Sequence, residues 1–198
     1  PEGGFFMQRQ LSVDGIEMTF ALNHLAYFLL TDLLLDTIQA SAPARIINVS
    51  SGAHTSGKIE FDNLQGERNY SASAYGHSKL GNILFTMELA RRLEGTSVTV
   101  NALHPGFVST GFGKNNPGFL MKLMRVVVPL IARSPEKGAE TSIYLASSPE
   151  VEKITGKYFY DSKVTPMAPQ ATDMAVAKKL WDVSAAMIHP ADAVPAKS

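Results

Sequence analysis

Two short, mostly apolar runs constrain the fold more than any other feature of this sequence. The first covers 46–50 and leads into Ser51, and the second covers 98–103 and leads into His104-Pro105-Gly106. Both are rich in β-branched residues and end in small polar or turn-forming residues, a pattern typical of buried strands. Because helical patterns lie between and around them, the sequence predicts an α/β domain with parallel strands, to which 157–160 adds a third.

The helical patterns divide the rest of the chain into recognisable elements of a single domain, 1–198. We expect helices at about 15–39 after the N-cap Asp14, at about 74–93, at about 135–147 after the N-cap Ser134, and at about 171–188. The apolar segment 119–132 is expected to form a substrate lid or to pack in the core. The tail from about 189 is expected to be loose.

A tyrosine and a lysine four residues apart, Tyr75 and Lys79, open the second of these helices. On a helix, this spacing places both side chains on one face. A phenol has a reference pKa of about 10, and a nearby cation lowers that value, so the pair can act as a proton donor and acceptor. The bare pair also occurs by chance, with the ring simply packed under the lysine stem.

The predicted topology gives this pair its context. Ligands of open α/β sheets bind outside the carboxyl ends of the strands. Ser51, Tyr75 and Pro105-Gly106 all map to that edge. The sequence therefore predicts that a serine, a tyrosine, a lysine and a flat Pro-Gly turn lie together in one site.

These motifs together resemble the short-chain dehydrogenase/reductase family. The resemblance rests on Asn-Val-Ser-Ser at 48–51, Tyr-Gly-His-Ser-Lys at 75–79 and Asn-Ala-Leu-His-Pro-Gly at 101–106. Finer runs that begin at Leu22, Phe28, Leu84 and Gly156 resemble the retinol-dehydrogenase-like branch. The resemblance implies a Rossmann-type, doubly wound parallel sheet and extends over nearly the whole chain.

The resemblance also implies a catalytic group of Asn23, Ser51, Tyr75 and Lys79. In the family, the tyrosine is the general acid and base, the lysine lowers its pKa and binds the nicotinamide ribose, and the serine holds the substrate oxygen. Ser50 is the competing serine. The matching asparagine kinks its helix and holds a water of a proton relay, although Asn23 could instead be a buried amide bonded to a loop.

The cofactor implied is NADP or NAD. Tyr75 and Lys79 would contact it together with the loop after the 98–103 strand, where Pro105, Gly106, Val108 and Thr110 match positions that meet the nicotinamide carboxamide. The implied reaction is hydride transfer between nicotinamide and a small apolar alcohol or carbonyl, either retinol-like or xenobiotic. The family's Gly-rich first turn and the strands around it have no counterpart here, so we expect N-terminal strands to be missing and this chain alone to show no turnover.

Two other functions remain open. A nucleotide-sugar epimerase or dehydratase of the extended branch uses the same catalytic residue types, but with a larger substrate region after the last strand. An inactive, truncated chain could retain only a binding role through its long helices. Upstream sequence, or titration with NADP and NAD, would discriminate between these alternatives.

Composition narrows the possible partners. Eighteen basic and eighteen acidic residues cancel, which gives no electrostatic case for nucleic acid, and the absence of cysteine rules out thiolate chemistry and disulfides. The histidines are scattered, so no metal site is expected. The apolar run near 25–35 is broken by Thr31 and Asp32, so we expect no membrane span and a cytoplasmic location. Apolar residues around most of the helices near 15–39 and 74–94 predict a homodimer or homotetramer through these helices.

Overall fold

Four strands form one sheet in a computed structural model that describes residues 4–108 and 132–189. The strands are β1 (Ala44–Val49), β2 (Val98–Leu103), β3 (Tyr158–Tyr160) and β4 (Lys163–Val164). The first three are parallel, which confirms the predicted topology, and the two-residue β4 adds an antiparallel edge that the sequence pattern did not predict. Residues 109–131, which include Thr110 and almost all of 119–132, and the tail from 190 lie outside the described residues.

Four helices of more than two turns pack against this sheet in the described part of the chain. They are α1 (Met18–Ala40), α2 (Ser73–Arg92), α3 (Pro135–Ser147) and α4 (Met174–Ile188). Ser134 caps α3 as predicted, because its side chain accepts a hydrogen bond from the Lys137 amide. A short 3-10 segment, Pro169–Thr172, precedes α4, which begins three residues later than expected because Asp173 caps it.

The start of α1 corrects the sequence prediction. Asp14 is not the N-cap, because residues before Met18 form a turn in which Leu11 bridges Glu17. The N-cap is Glu17, whose carboxylate accepts hydrogen bonds from the Thr19 and Phe20 amides at 2.8 and 2.7 Å. The cap is 2% exposed, and the Tyr70 hydroxyl donates a further bond to it at 2.9 Å.

Helix α2 lies at the centre of the domain. Ile83, Leu84 and Leu89 are fully buried, and contacts with β1, β2, α1 and α4 surround the helix. The apolar residues found all round α2 are therefore accounted for by packing within this chain. Helix α1 differs, because Leu30 and Leu33 on its outer side are exposed.

By length and composition alone, α1 is apolar enough to cross a membrane. The sequence-based expectation of no membrane span did not detect this property, because it relied on Thr31 and Asp32, which interrupt the apolar run. Core helices of water-soluble domains meet the same criterion, and the inner face of α1 buries Asn23, His24 and Phe28 against the rest of the chain. The packing of this face is that of a core helix.

Candidate active site

The site lies at the carboxyl edge of the sheet, where β1 and β2 end side by side. Val49 pairs with Leu103 in register, so the residues that follow the two strands emerge together. The chain then continues into a short 3-10 turn, Gly52–Ser56, after β1, and into His104-Pro105-Gly106 after β2. This edge is where the sequence placed the ligand site.

Two glycines let the turn after β1 lie directly on the first turn of α2. A Cβ atom on Gly76 would lie 2.9 Å from the Ala53 carbonyl oxygen, and one on Gly57 would lie 2.5 Å from the Gly76 carbonyl oxygen. Real side chains do not tolerate such distances, so this contact requires glycine at both positions. The close approach brings Ser51 to Tyr75.

Burial raises the pKa of the Tyr75 phenol, and a hydrogen bond with Ser51 lowers it by a smaller amount. The net direction is upward, and the role of Lys79 in lowering this pKa stays a prediction. The phenolate is disfavoured because its charge is less well hydrated at a half-buried position than in water. In this state Tyr75 is therefore protonated at neutral pH and set up as a proton donor.

Lys79 is 4% exposed, and burial lowers the pKa of its ammonium to about 8. Its Nζ donates to the Val49 carbonyl oxygen at 3.3 Å and lies 5.6 Å from the centre of the Tyr75 ring. The centre of the Tyr27 ring on α1 also lies near Nζ, at 5.9 Å. A buried ammonium held by a backbone carbonyl near two phenol rings can stabilise negative charge on a phenol or bind a ligand hydroxyl.

The structure separates the two candidate serines. The Ser50 hydroxyl is buried and donates to the Lys79 backbone carbonyl at 2.7 Å, which joins the end of β1 to α2. Ser51 instead faces Tyr75. Geometry therefore favours Ser51 as the serine that could reach a substrate oxygen, and the assignment of its role stays a prediction.

Asn23 lies in a π-helical turn of α1, Ala21–Leu25, which interrupts the α-helical hydrogen bonding as expected for a local distortion of this helix. Its side chain accepts a bond from the Gly4 amide at 2.7 Å and donates to the Gly4 carbonyl at 2.8 Å. It also donates to the Ser78 hydroxyl at 3.0 Å. The amide thus holds the entering chain against α1 and α2, which is the alternative role considered above, and its part in a proton relay stays a prediction.

The loop after β2 presents backbone to the same edge. Gly106 has φ of +81°, a conformation that side chains rarely adopt, and its amide donates to Nδ1 of His104 at 3.2 Å. Pro105 lies between them. The His104 ring stacks on Tyr160, with ring centres 4.1 Å apart, which holds the turn in place. Val108 packs on Gly138 of α3.

Among the residues that the structure describes, no group of three or more histidine, cysteine, aspartate or glutamate side chains could hold a metal ion. His54 and His104 lie near the site but contact aromatic rings and backbone. His54 packs on Tyr158 with ring centres 4.9 Å apart, and its Nδ1 lies 2.8 Å from the Ser51 carbonyl oxygen. Both histidines thus support the two loops of the site.

Sequence reasoning missed two residues at this site. Tyr27 follows Asn23 by one helical turn, and that i, i+4 spacing was the available signal for a residue beside Lys79. Asn82 follows Lys79 by three residues and donates to the same Val49 carbonyl. An asparagine inside a long buried helix is a poor helix former, and this local cost was the signal that it carries a specific contact.

The family description "short chain dehydrogenase" matches residues 3–118 of this chain. Among curated proteins, retinol dehydrogenase 14 of Homo sapiens is 53% identical over 178 residues, which are 88% of this chain and 53% of that protein. Retinol dehydrogenase 13 of Homo sapiens is 48% identical over 88% of this chain and 55% of that protein. The chain thus spans about half the length of the curated relatives it matches.

Among solved structures, an uncharacterized protein from Mycobacterium Paratuberculosis superposes with a TM-score of 0.70 at 30% identity. The match covers 91% of this chain and 62% of that one. The sheet and its packed helices are therefore shared over nearly the whole of the chain.

Proposed function

The chain belongs to the short chain dehydrogenase family, and we propose that it forms the catalytic portion of an NAD(P)-dependent oxidoreductase acting on an apolar alcohol or carbonyl compound. The observation that carries this proposal is the meeting of Ser51, Tyr75 and Lys79 at the carboxyl edge of the sheet. A protonated phenol, a hydroxyl donor and a buried cation are the groups needed to bind a carbonyl oxygen and deliver a proton to it.

The residues fit the nicotinamide end of such a cofactor. Gly106 offers a turn without a side chain, and the buried Lys79 ammonium has capacity to donate beyond its bond to Val49. When bound, the nicotinamide ring would supply or accept the hydride. Lys79 would hold ribose hydroxyls, and Pro105-Gly106 together with Val108 and Thr110 would contact the carboxamide side.

Proton transfer is the task of the chain's own residues. In the reducing direction, Ser51 and Tyr75 donate hydrogen bonds to the substrate oxygen, and the Tyr75 proton moves to that oxygen as it becomes an alkoxide. Lys79 stabilises the resulting phenolate, because its positive charge lies beside the ring. In the oxidising direction, Tyr75 takes the proton back. The burial of Lys79 and the partial burial of Ser51 and Tyr75 limit the access of competing water to the transfer.

The relatives support the substrate class that we propose. The curated proteins matched over most of this chain are retinol dehydrogenases. We therefore expect retinol and retinal, or apolar xenobiotic carbonyls of similar size, to be turned over in preference to small polar ones.

A matched pair of serine variants tests the proposal in an extended chain, in which a dinucleotide-binding half precedes these residues. With NADP or NAD and retinal, we expect Ser51→Ala to lower kcat by roughly 10²-fold, since one donor to the developing oxyanion is lost. Ser50→Ala should lower stability and leave kcat within severalfold, because its hydroxyl bonds backbone only. Equal losses of kcat in both variants, or no turnover of retinal, would contradict the proposed function.

We propose in addition that the chain forms a homodimer or homotetramer in which the outer side of α1 is the main contact. Leu30, Leu33 and Leu34 are 56%, 68% and 44% exposed on that side. Helix α2 has little free surface left to contribute, since its own chain buries it.

A further inference from the structure

A chain of buried polar side chains connects three helices behind Lys79. It runs from Ser184 on α4 through His24 on α1 to Asn82 on α2, and none of the three is more than 1% exposed. Nε2 of His24 lies 2.9 Å from the Ser184 hydroxyl. Buried polar groups are almost always paired, so each contact in this chain requires a donor and an acceptor.

No hydrogen bond within normal limits joins His24 to Asn82 in the described residues. Nδ1 of His24 and Oδ1 of Asn82 are buried without a partner that meets those limits in the described part of the chain. The Asn82 side chain nevertheless acts on His24 as a hydrogen-bonding neighbour. Gly81 allows the approach, because a Cβ atom there would lie 3.1 Å from Nδ1 of His24. Each of these two atoms is therefore available as the hydrogen-bond partner of the other.

With the Asn82 amide oriented as in the structure, only one assignment of protons satisfies every atom of the chain. If Nδ1 of His24 carries the hydrogen, it donates to Oδ1 of Asn82, and Nε2 accepts from the Ser184 hydroxyl. The other tautomer places the bare Nδ1 against the carbonyl oxygen of the amide, acceptor against acceptor. Burial lowers the pKa of His24 to about 4, so the ring is neutral at physiological pH and carries one hydrogen, either on Nδ1 or on Nε2.

The orientation of the Asn82 amide then determines what lies beside Lys79. Nδ2 of Asn82 donates to the Val49 carbonyl oxygen at 3.3 Å, and Nζ of Lys79 donates to the same oxygen at 3.3 Å. Two donors that share one acceptor weaken each other's bond. If the amide turned over, its oxygen would face the Val49 oxygen and the lysine, and the ammonium would gain a second acceptor.

We propose that His24 and Asn82 are positioning residues for Lys79, with His24 held as the Nδ1–H tautomer so that the Asn82 amide presents its NH₂ group, and not its oxygen, to the carbonyl that Lys79 shares. The inference rests on the proposed function for the catalytic role of Lys79. This arrangement leaves the Lys79 ammonium with only a weak bond to the Val49 carbonyl, so that it can interact with Tyr75 and with a ligand hydroxyl. Through Ser184, it links the terminal helix to the active site.

The tautomer is measured directly on this chain, without cofactor, by ¹⁵N NMR of the histidine ring. We expect Nδ1 of His24 to show the shift of a protonated nitrogen and Nε2 that of an unprotonated one. In Asn82→Leu, the Nε2–H form should take over, because the Ser184 hydroxyl can also accept. An Nε2–H ring in the unaltered chain overturns the proposal.

The effect on Lys79 is measured with ¹³C-labelled lysine, again without cofactor. In His24→Phe, which keeps a flat ring between Phe20 and Phe85, the amide is free to turn, and the pKa of Lys79 should rise by about one pH unit as its ammonium gains an acceptor. Both variants leave Tyr27 and Tyr75 in place, the titratable side chains whose ring centres lie 5.9 and 5.6 Å from Nζ. An unchanged pKa of Lys79 in a folded His24→Phe chain overturns the proposal.

Thr86→Val is the matched control. Thr86 is equally buried on α2 and bonds Asn48 at 2.9 Å, so its loss should lower stability without moving the Lys79 titration. In the extended chain, the alkaline limb of the pH–rate profile should move with the lysine in His24→Phe and stay in place in Thr86→Val. Absence of all turnover would contradict the proposed function, yet leave the tautomer and the Lys79 shift as independent tests of the positioning role.

Discussion

Helices α1 and α2 have similar sequence patterns but different surroundings. Each is apolar around much of its circumference, and this pattern predicted that both would lie at a subunit interface. In the structure, α2 is enclosed by β1, β2, α1 and α4, whereas α1 buries one side and leaves leucines exposed on the other. The difference shows that an apolar helix surface predicts burial and does not say which chain provides the partner.

The same comparison separates the chemical roles of the two helices. Helix α2 carries Tyr75 and Lys79, and its enclosure supplies the desolvation that shifts both of their pKa values. Helix α1 contributes through its inner face alone, where Asn23 and Tyr27 reach the same site. Changes on α2 and on the inner face of α1 should therefore alter chemistry or folding, and changes on the outer face of α1 should alter neither.

The largest effect is expected from Tyr75→Phe on α2. In an extended chain that carries a dinucleotide-binding half, kcat should fall by at least roughly 10²–10⁴-fold, because the proton donor is lost while the ring is kept. Cofactor affinity, measured by fluorescence titration, should change little. Tyr144→Phe on α3, whose hydroxyl donates to Glu150 at 2.9 Å, is the matched control and should retain most of the activity. A Tyr75→Phe enzyme with near-normal kcat would contradict the assignment of Tyr75 as the catalytic proton donor.

Next in size is the contrast between a leucine of α2 and one of α1. Leu84→Ala should lower the free energy of unfolding by about 2–5 kcal/mol, since it opens a cavity at a fully buried position. Leu33→Ala, on the exposed side of α1, should change it by no more than about 0.5 kcal/mol in the monomer. Urea unfolding of the two variants at low protein concentration measures both values. Similar losses in the free energy of unfolding for the two variants would contradict the difference in burial between α2 and the outer side of α1.

The inner face of α1 should show its burial through pH. Burial lowers the folded-state pKa of His24 from 6.5 to about 4, so the unfolded chain takes up a proton more readily. Stability should therefore be complete above about pH 6.5 and fall as the pH drops towards 4, by about 3 kcal/mol at the lower end. His24→Phe should lack this part of the pH dependence. The difference between the two unfolding curves isolates the contribution of His24, and parallel curves would show that the ring is not held neutral.

The smallest effect on stability, and the sharpest test of the outer face, is expected from Leu33→Lys on α1. If α1 joins two copies of the chain, light scattering should show a shift from oligomer to monomer, with the free energy of unfolding of the monomer nearly unchanged. Ile143→Lys is the control, because Ile143 is 61% exposed on α3, away from this face. Loss of assembly in both variants, or in neither, would count against α1 as the subunit contact.

The sequence by itself determined the elements and the chemistry available to them. Short β-branched runs predicted β1 and β2, and a short aromatic run predicted β3, because extended backbone that is buried on both faces requires apolar side chains. The four-residue spacing of Tyr75 and Lys79 placed both on one face of a helix, and the cap at Ser134 was visible because capping depends on local residue order. All of these are short-range relations along the chain.

Tertiary structure decided the matters that depend on residues distant in sequence. It selected Glu17 over Asp14 as the cap of α1, directed Ser51 towards Tyr75 and Ser50 towards backbone, and raised the pKa of Tyr75 where the lysine alone would have lowered it. It also enclosed α2 and exposed one side of α1. The physical reason is common to all of them. Desolvation and hydrogen-bond partners arise from packing, and packing brings together segments whose contact cannot be predicted from local sequence patterns.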